Sequence, residues 1–135
     1  MPVKAIAKGV KHSPRKVSVV AALVRGRSVE EAITILENTP RRSAIAVKKV
    51  IESAKANADY NHGYKPASLR IVEISVNSGP RVKRYRPAWR GMANKYQKRT
   101  SHITVLVDGE KRQPKVNSTK AKESKASVTK TKETK

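Results

Sequence analysis

Residues 69–107 read LRIVEISVNSGPRVKRYRPAWRGMANKYQKRTSHITVLV, and this stretch determines the architecture of the chain. Its two ends, residues 69–76 and 103–107, are rich in Ile and Val, which is typical of β-strands. An unstructured connection as long as residues 77–102 would be unusual inside a compact domain. The sequence therefore predicts two antiparallel strands that continue into a long β-hairpin over about residues 77–103, called the arm below.

The turn of the arm is predicted near Trp89–Gly91, because Gly91 tolerates turn conformations and Pro87 lies just before it. Each side of the arm then holds about 10–12 residues, or about 35 Å at about 3.3 Å per residue. A body of about 90 residues is only about 25–30 Å across. The arm is therefore expected to project beyond the body.

Three helices are predicted before these strands. The first begins at Ser13-Pro14, a cap followed by a proline suited to the first helical position, and ends at Gly26. The second begins with a capping box at Ser28–Glu31. The third begins at Thr39-Pro40 and runs to about Asn61, with an apolar stripe at helical spacing.

A further strand is predicted at Val3–Ala7, which makes the element order β-α-α-α-β-β. This order predicts an α+β fold, with three helices packed on a small antiparallel sheet and the long β-hairpin projecting from it. Residues 1–110 are predicted to form a single domain that includes the hairpin. Residues 111–135 are basic, of low complexity and poor in apolar side chains, so they are predicted to form a disordered C-terminal tail.

The composition excludes several classes of protein. The 135 residues contain no Cys, which excludes disulfides, thiolate nucleophiles and Cys-ligated zinc. The three His residues are far apart in sequence and lack acidic partners at metal-binding spacing, so we expect no metal and no cofactor. No nucleophile elbow or Gly-rich phosphate loop occurs, and we expect no enzymatic activity. No apolar run approaches the about 20 residues of a membrane helix, and the start lacks a secretory signal, so we expect a cytoplasmic protein.

The formal net charge of +21 predicts a polyanionic partner, with nucleic acid as the leading candidate and a membrane surface as the second. Residues 79–102 carry eight cations and no acidic side chain. Three of the five aromatic residues, Tyr85, Trp89 and Tyr96, lie in the same segment. Aromatic rings among arginines suit stacking on unpaired bases together with phosphate pairing. The arm is therefore predicted to bind RNA.

Other cations are predicted to contact RNA from the helices. Several flank the first helix, and Arg41 and Arg42 lie in the first turn of the third helix, where the dipole disfavours cations and favours a phosphate. Ser13 is also interpreted as a helix cap, Ser101 as a strand-edge hydroxyl and His102 as a strand cap. The predicted RNA-binding residues are Lys11, His12, Ser13, Arg15, Lys16, Arg25, Arg41, Arg42, Arg81, Lys83, Arg84, Arg86, Arg90, Lys95, Lys98, Arg99, Ser101 and His102.

Two other functions fit parts of this pattern. An architectural DNA-binding protein also uses a β-arm with Pro near its tip, but such proteins need an apolar dimer interface. The apolar stripes of this chain are all assigned to one core, so we expect a monomer. A membrane-surface protein would need a helix with a cationic face opposite an apolar face, which the sequence lacks.

Motifs spread over about residues 5–108 match one known family in order and spacing. They are Ser13-Pro14-Arg15-Lys16-Val17, Leu23-Val24-Arg25-Gly26, Val47-Lys48-Lys49-Val50-Ile51-Glu52-Ser53-Ala54, Ala56-Asn57-Ala58, Gly79-Pro80, Lys83-Arg84 and Lys98-Arg99-Thr100-Ser101-His102-Ile103-Thr104-Val105. The chain thereby resembles the large ribosomal subunit protein twenty-two family, in its bacterial type.

The resemblance implies a small α+β body on the outer surface of the large subunit and a hairpin that runs inward to line the nascent-peptide exit tunnel. It also implies binding to large-subunit (23S-type) rRNA and help in its assembly. The implied partners are this rRNA, neighbouring large-subunit proteins and the nascent peptide, with the protein a monomer within the ribosome. The tunnel-lining tip would comprise Arg86, Pro87, Ala88, Trp89, Arg90, Gly91 and Met92.

Overall fold

The computed structural model describes residues 2–112. The main elements in chain order are β1 (Val3–Val10), α1 (Pro14–Val24), α2 (Val29–Glu37), α3 (Arg42–His62), β2 (Arg70–Pro87) and β3 (Ala93–Asp108). The strands form one antiparallel sheet in the order β1-β3-β2, so the last strand is the central one. Helices packed on this sheet give the α+β fold that the sequence predicts.

The core lies between one face of the sheet and the helices. In β3 every second residue from Ser101 to Val107 is buried, because alternate side chains of a strand point to the same face. The helices meet this face with apolar stripes at helical spacing. Their fully buried members are Val17, Val20, Ala21 and Val24 in α1, Val29 and Ala32 in α2, and Ala44, Val47, Ile51, Ala54 and Ala58 in α3.

The starts of α1 and α2 lie where the sequence predicts them, but they are capped differently. Ser28 caps α2, because its hydroxyl accepts a hydrogen bond from the Glu31 N–H at 3.3 Å. Ser13 is the N-cap residue of α1, yet its side chain makes no capping bond. Its backbone carbonyl instead accepts from the N–H groups of Lys16 and Val17.

The predicted start of α3 is wrong by two residues. The helix begins at Arg42, with Arg41 at the N-cap position, and not at Thr39-Pro40. The Thr39 hydroxyl donates back to the Ile35 carbonyl at 2.6 Å, so it completes the end of α2. A threonine hydroxyl can cap the helix that follows it or donate to a carbonyl of the helix that precedes it, and the local sequence does not distinguish the two cases.

Two residues assigned to the tail belong to the body. Lys111 forms a β-bridge with Tyr64, just after the end of α3. The backbone N–H of Arg112 donates to the Gly63 carbonyl at 2.7 Å, and its guanidinium lies 3.6 Å from the Asp59 carboxylate. The body therefore extends at least two residues past the predicted domain boundary. The rest of the predicted disordered tail lies outside the described residues.

The arm is a two-stranded extension of the sheet. β2 and β3 remain paired as far as Pro87 opposite Ala93, whereas β1 ends at Val10, opposite Ser101. Past that level the described residues supply no third strand. The turn occupies Trp89–Gly91, as predicted, and its second and third residues have positive φ of 53° and 72°. The side chains of the arm are largely exposed, so the arm projects from the core.

A bulge marks the base of the arm, where the register between β2 and β3 shifts between Ser78 and Arg81. Pro80 has no N–H for the ladder, but its carbonyl accepts a 2.8 Å hydrogen bond from the Thr100 hydroxyl. Gly79 lies close to the Thr100 side chain that makes this bond. A Cβ at Gly79 would stand 2.5 Å from the Thr100 Oγ1 atom, so the close contact at the bulge requires glycine.

Candidate nucleic-acid interface

A basic groove of about 600 Å³ lies where the end of β1 meets the first turns of α1 and α3. All of its lining residues are basic or polar, and none is acidic. They are Lys11, His12, Lys16, Arg41, Arg42 and Ser43. Five of these six were predicted from sequence as RNA-binding residues, so the fold brings together side chains from three separate segments.

A hydrogen bond joins α1 and α3 at this groove. The Ser43 hydroxyl, in the first turn of α3, lies 3.3 Å from the Lys16 carbonyl and donates to it. This bond joins the first turn of α3 to the first turn of α1. Ser43 is the lining residue that the sequence analysis missed, because a helix predicted to begin at Pro40 places it two residues too deep. A helix start at Arg42 would have identified it.

The helix starts at the groove lack the groups that usually neutralise a helix N-terminus. Neither α1 nor α3 has a side-chain cap or an acidic residue in its first turn. By contrast, α2 has the Ser28 cap and two first-turn glutamates, Glu30 and Glu31. The N-terminus of a helix carries a partial positive charge, so cations placed there destabilise the helix unless an anion binds. The first turns of α1 and α3 thus add their field to that of the groove cations.

The cations of the arm also lack acidic partners within the described residues. The carboxylates of the body pair with other cations of the body: Glu37 and Glu52 with Lys48, Glu30 with Lys55, and Asp59 with Arg112. None of these cations is a predicted RNA-binding residue. The predicted RNA-binding cations in residues 2–112 are therefore left without a neutralising carboxylate, which is the electrostatic state expected of a phosphate-binding surface.

Aromatic rings and guanidinium groups stack along the arm. The Arg90 guanidinium lies 4.8 Å from the centre of the Trp89 ring at the turn. The Arg86 guanidinium lies 5.6 Å from the centre of the Tyr96 ring. Both distances are within the range of cation–π contact. Trp89 remains 68 % exposed, so a face of its ring is open for contact with a base or a peptide.

Two predicted RNA-binding residues at the base of the arm, Ser101 and His102, lie on opposite faces of the sheet. Ser101 is fully buried on the helix side of the sheet, so it cannot contact RNA in this structure, and we exclude it from the interface. Ser101 is spaced by an even number of residues from Ile103, Val105 and Val107, so it points to the same face of the strand. This alternation could have revealed its burial from the sequence. His102 faces the other side, where its Nδ1 atom accepts the Gly9 N–H at 3.1 Å.

The remaining predicted residues lie outside the groove. Arg15 is exposed on α1, and Ser13 is half-buried at the start of that helix. The Arg25 guanidinium donates to the Ile74 carbonyl at 3.2 Å, which attaches the end of α1 to β2. Arg25 thus has a structural contact in addition to any contact with RNA.

The groove and the arm occupy the same end of the sheet. Lys11 and His12 follow directly after Val10, and Val10 pairs with Ser101 at the base of the arm. One continuous polyanion could therefore contact both surfaces.

No group of three or more potential metal ligands occurs among residues 2–112. No helix within these residues is long and apolar enough to span a membrane.

The groups with altered pKa lie outside the groove and the arm. The 2.8 Å hydrogen bond to Glu37 raises the pKa of Lys48, and burial raises the pKa of Tyr64.

Comparison with known proteins identifies the family. The family model described as ribosomal protein L22p/L17e matches residues 5–108. The chain is 48 % identical over 108 residues to large ribosomal subunit protein uL22 of Herpetosiphon aurantiacus, covering 80 % of this chain and 96 % of that protein. It is 50 % identical over 107 residues to the protein of the same name from Clostridium tetani, covering 79 % and 96 %. The chain therefore belongs to the L22p/L17e family of large-subunit ribosomal proteins.

Proposed function

We propose that the protein is a structural component of the large ribosomal subunit in the cytoplasm and binds large-subunit rRNA through the basic groove and the arm. The single observation that carries this proposal is the arm itself: eight cations and no acidic residue between residues 79 and 102, on a two-stranded extension. A bare two-stranded hairpin is only marginally stable in water, and eight like charges repel one another. Surrounding phosphate groups would neutralise the charges and order the arm.

Binding is mainly to phosphates and to RNA shape, with stacking of the exposed arm aromatics on unpaired bases. The groove takes phosphates at the start of α1 and α3, and the arm reaches between RNA segments. Contacts with several segments would also help the rRNA to assemble. This role is a binding role that needs no catalytic group, no metal and no cofactor.

The tip of the arm lines the nascent-peptide exit tunnel in this proposal. It comprises residues 86–92 and presents Trp89 and Met92, which are 68 % and 62 % exposed. These side chains would meet the nascent peptide, while neighbouring large-subunit proteins contact the body. The family match favours this function over the architectural DNA-binding protein.

Ultraviolet crosslinking in cell lysate, followed by sequencing of the bound nucleic acid, tests the proposal. We expect large-subunit rRNA to be the dominant crosslinked species, at sites that change when the groove cations Arg41 and Arg42 are replaced by Gln. Recovery of duplex DNA in place of rRNA would contradict the proposal and support the architectural alternative. Gel filtration of the purified chain provides an independent readout, because the DNA-binding alternative requires a dimer and the ribosomal function a monomer.

A further inference from the structure

The arm has two faces with different chemistry. Residues opposite each other in an antiparallel pair point to the same face, so the register of β2 and β3 assigns each side chain. The first face, called the cationic face, carries Arg81, Lys83, Tyr85, Lys95, Gln97 and Arg99. The second, called the stacked face, carries Val82, Arg84, Arg86, Asn94, Tyr96 and Lys98.

The cations of the cationic face have no partner among residues 2–112. Arg81 lies directly opposite Arg99, and a cross-strand pair of like charges destabilises a hairpin. Lys83 and Lys95 extend the same face toward the tip, and all four side chains are exposed. Tyr85, between them, is 62 % exposed. No carboxylate among residues 2–112 neutralises this face, so its charges are available to an external anion.

The guanidinium groups of the stacked face are used within the arm. Arg86 lies over the ring of Tyr96, and Arg84 donates to the Lys83 carbonyl at 3.1 Å. Val82 and Tyr96 are each only 39 % exposed, against 62 % for Tyr85 on the other face. Two of the three cations of this face therefore make contacts within the arm. Lys98 is its one cation without a contact among the described residues.

We infer that the cationic face of the arm binds an RNA phosphate backbone and that the stacked face is turned away from it. This inference rests on the proposed function and adds the orientation of the arm about its long axis. In the assembled subunit, the stacked face is then the one that meets the open space of the tunnel. The orientation of the arm follows from the distribution of its cations, because the cationic face has more cations without a contact than the stacked face. The total charge of the arm would not distinguish the two faces.

Thiol reactivity in assembled subunits tests the orientation. The chain has no Cys, so a single introduced thiol can be followed without background from the protein itself. Gln97→Cys places it on the cationic face and Asn94→Cys on the stacked face, and neither changes the charge. Both positions are exposed, so the two thiols should react with a charged maleimide at similar rates in the free protein.

In purified large subunits we expect the thiol of Asn94→Cys to react at least tenfold faster than that of Gln97→Cys. Equal rates or the reverse order would overturn the inference, although the protein would still be shown to reside in the subunit. Failure of the unsubstituted protein to enter subunits would instead contradict the proposed function.

A second pair of variants tests the same inference on the isolated protein. Lys83→Gln with Lys95→Gln removes two cations from the cationic face, and Arg84→Gln with Lys98→Gln removes two from the stacked face. Each lost phosphate contact makes the negative slope of log K against log salt shallower by about 0.7–0.9. We expect the first pair to reduce the magnitude of the slope by about 1.4–1.8 and the second by less than half as much. Equal reductions, with a steep slope for the parent protein, would overturn the inference alone.

Discussion

At the scale of single residues, adjacent positions at the base of the arm have unrelated roles. Ser101 faces the core, and its hydroxyl has no hydrogen-bond partner among the described residues. His102 faces the opposite side of the sheet, where it accepts the Gly9 N–H. These two residues show that membership of a basic segment does not place a side chain at the RNA interface.

Ser101→Ala should not destabilise the protein. A buried hydroxyl without a partner has lost its hydration, so its removal should leave the free energy of unfolding unchanged or raise it by up to about 1 kcal/mol. RNA affinity should stay within twofold, because the side chain is fully buried. Thermal unfolding and filter binding measure the two quantities. A loss of more than about 1 kcal/mol would show that the hydroxyl makes a stabilising bond in solution.

At the scale of elements, the start of α3 carries two arginines at positions where a positive charge lowers the stability of the helix. Arg41 occupies an N-cap position where Asp, Asn, Ser or Thr would stabilise the helix. Arg42 follows in the first turn, against the direction of the dipole. The arrangement is understandable if a phosphate completes the helix start, since the bound anion supplies the missing acceptor.

Arg41→Asp should therefore raise stability and lower RNA affinity. A capping side chain and a favourable dipole interaction should raise the free energy of unfolding by about 1 kcal/mol. Loss of a charged contact and gain of an anion in the groove should weaken RNA binding about tenfold. Ser28→Ala is the matched control, because it removes the cap of α2, away from the groove, and should lower stability without changing affinity. A parallel change of stability and affinity in Arg41→Asp would contradict the account.

The end of the body gives a second prediction at this scale. A chain that ends at Arg112 should have a free energy of unfolding within about 0.5 kcal/mol of the full chain. A chain that ends at Glu110 loses the Arg112–Gly63 hydrogen bond and the bridge to Tyr64, so it should be less stable by about 1–2 kcal/mol. Urea unfolding of the three chains checks both values, and equal stability of the two shortened chains would show that these contacts contribute nothing.

Most elements could be predicted from sequence because their signals are local. The turn at Trp89–Gly91 follows from turn chemistry, and the capping residue Ser28 from the spacing to Glu31. The start of α3 could not be predicted, because Thr39 bonds to a carbonyl of the preceding helix. The groove depends on α1 and α3 meeting side by side, and no local pattern contains that contact. Sequence thus identified the cations, and tertiary packing decided which of them share a surface.

At the scale of the whole molecule, the chain divides into a packed body and a charged arm. The core lies between the helices and the three-stranded part of the sheet, whereas no apolar side chain in residues 77–100 is buried. The arm should therefore be removable without loss of the fold. Its contribution should appear in binding and not in stability.

Deletion of residues 86–94 and closure with Asn-Gly should leave the body intact. Tyr85 and Lys95 lie opposite each other, so a two-residue turn can join them. Circular dichroism should match that of the parent protein, and the variant should still enter large subunits, with altered passage of nascent chains. Unfolding of the variant would show that the arm belongs to the core. Folding without entry into subunits would show that the tip anchors assembly.

The central claim is that this protein holds rRNA by neutralising phosphates with the groove and the arm, and the salt dependence of binding tests it most directly. A filter-binding titration of the full chain against a large-subunit rRNA fragment gives the slope of log K against log salt. Neutralisation of roughly 6–10 phosphates predicts a slope of about −4 to −9. A slope near zero would contradict the account.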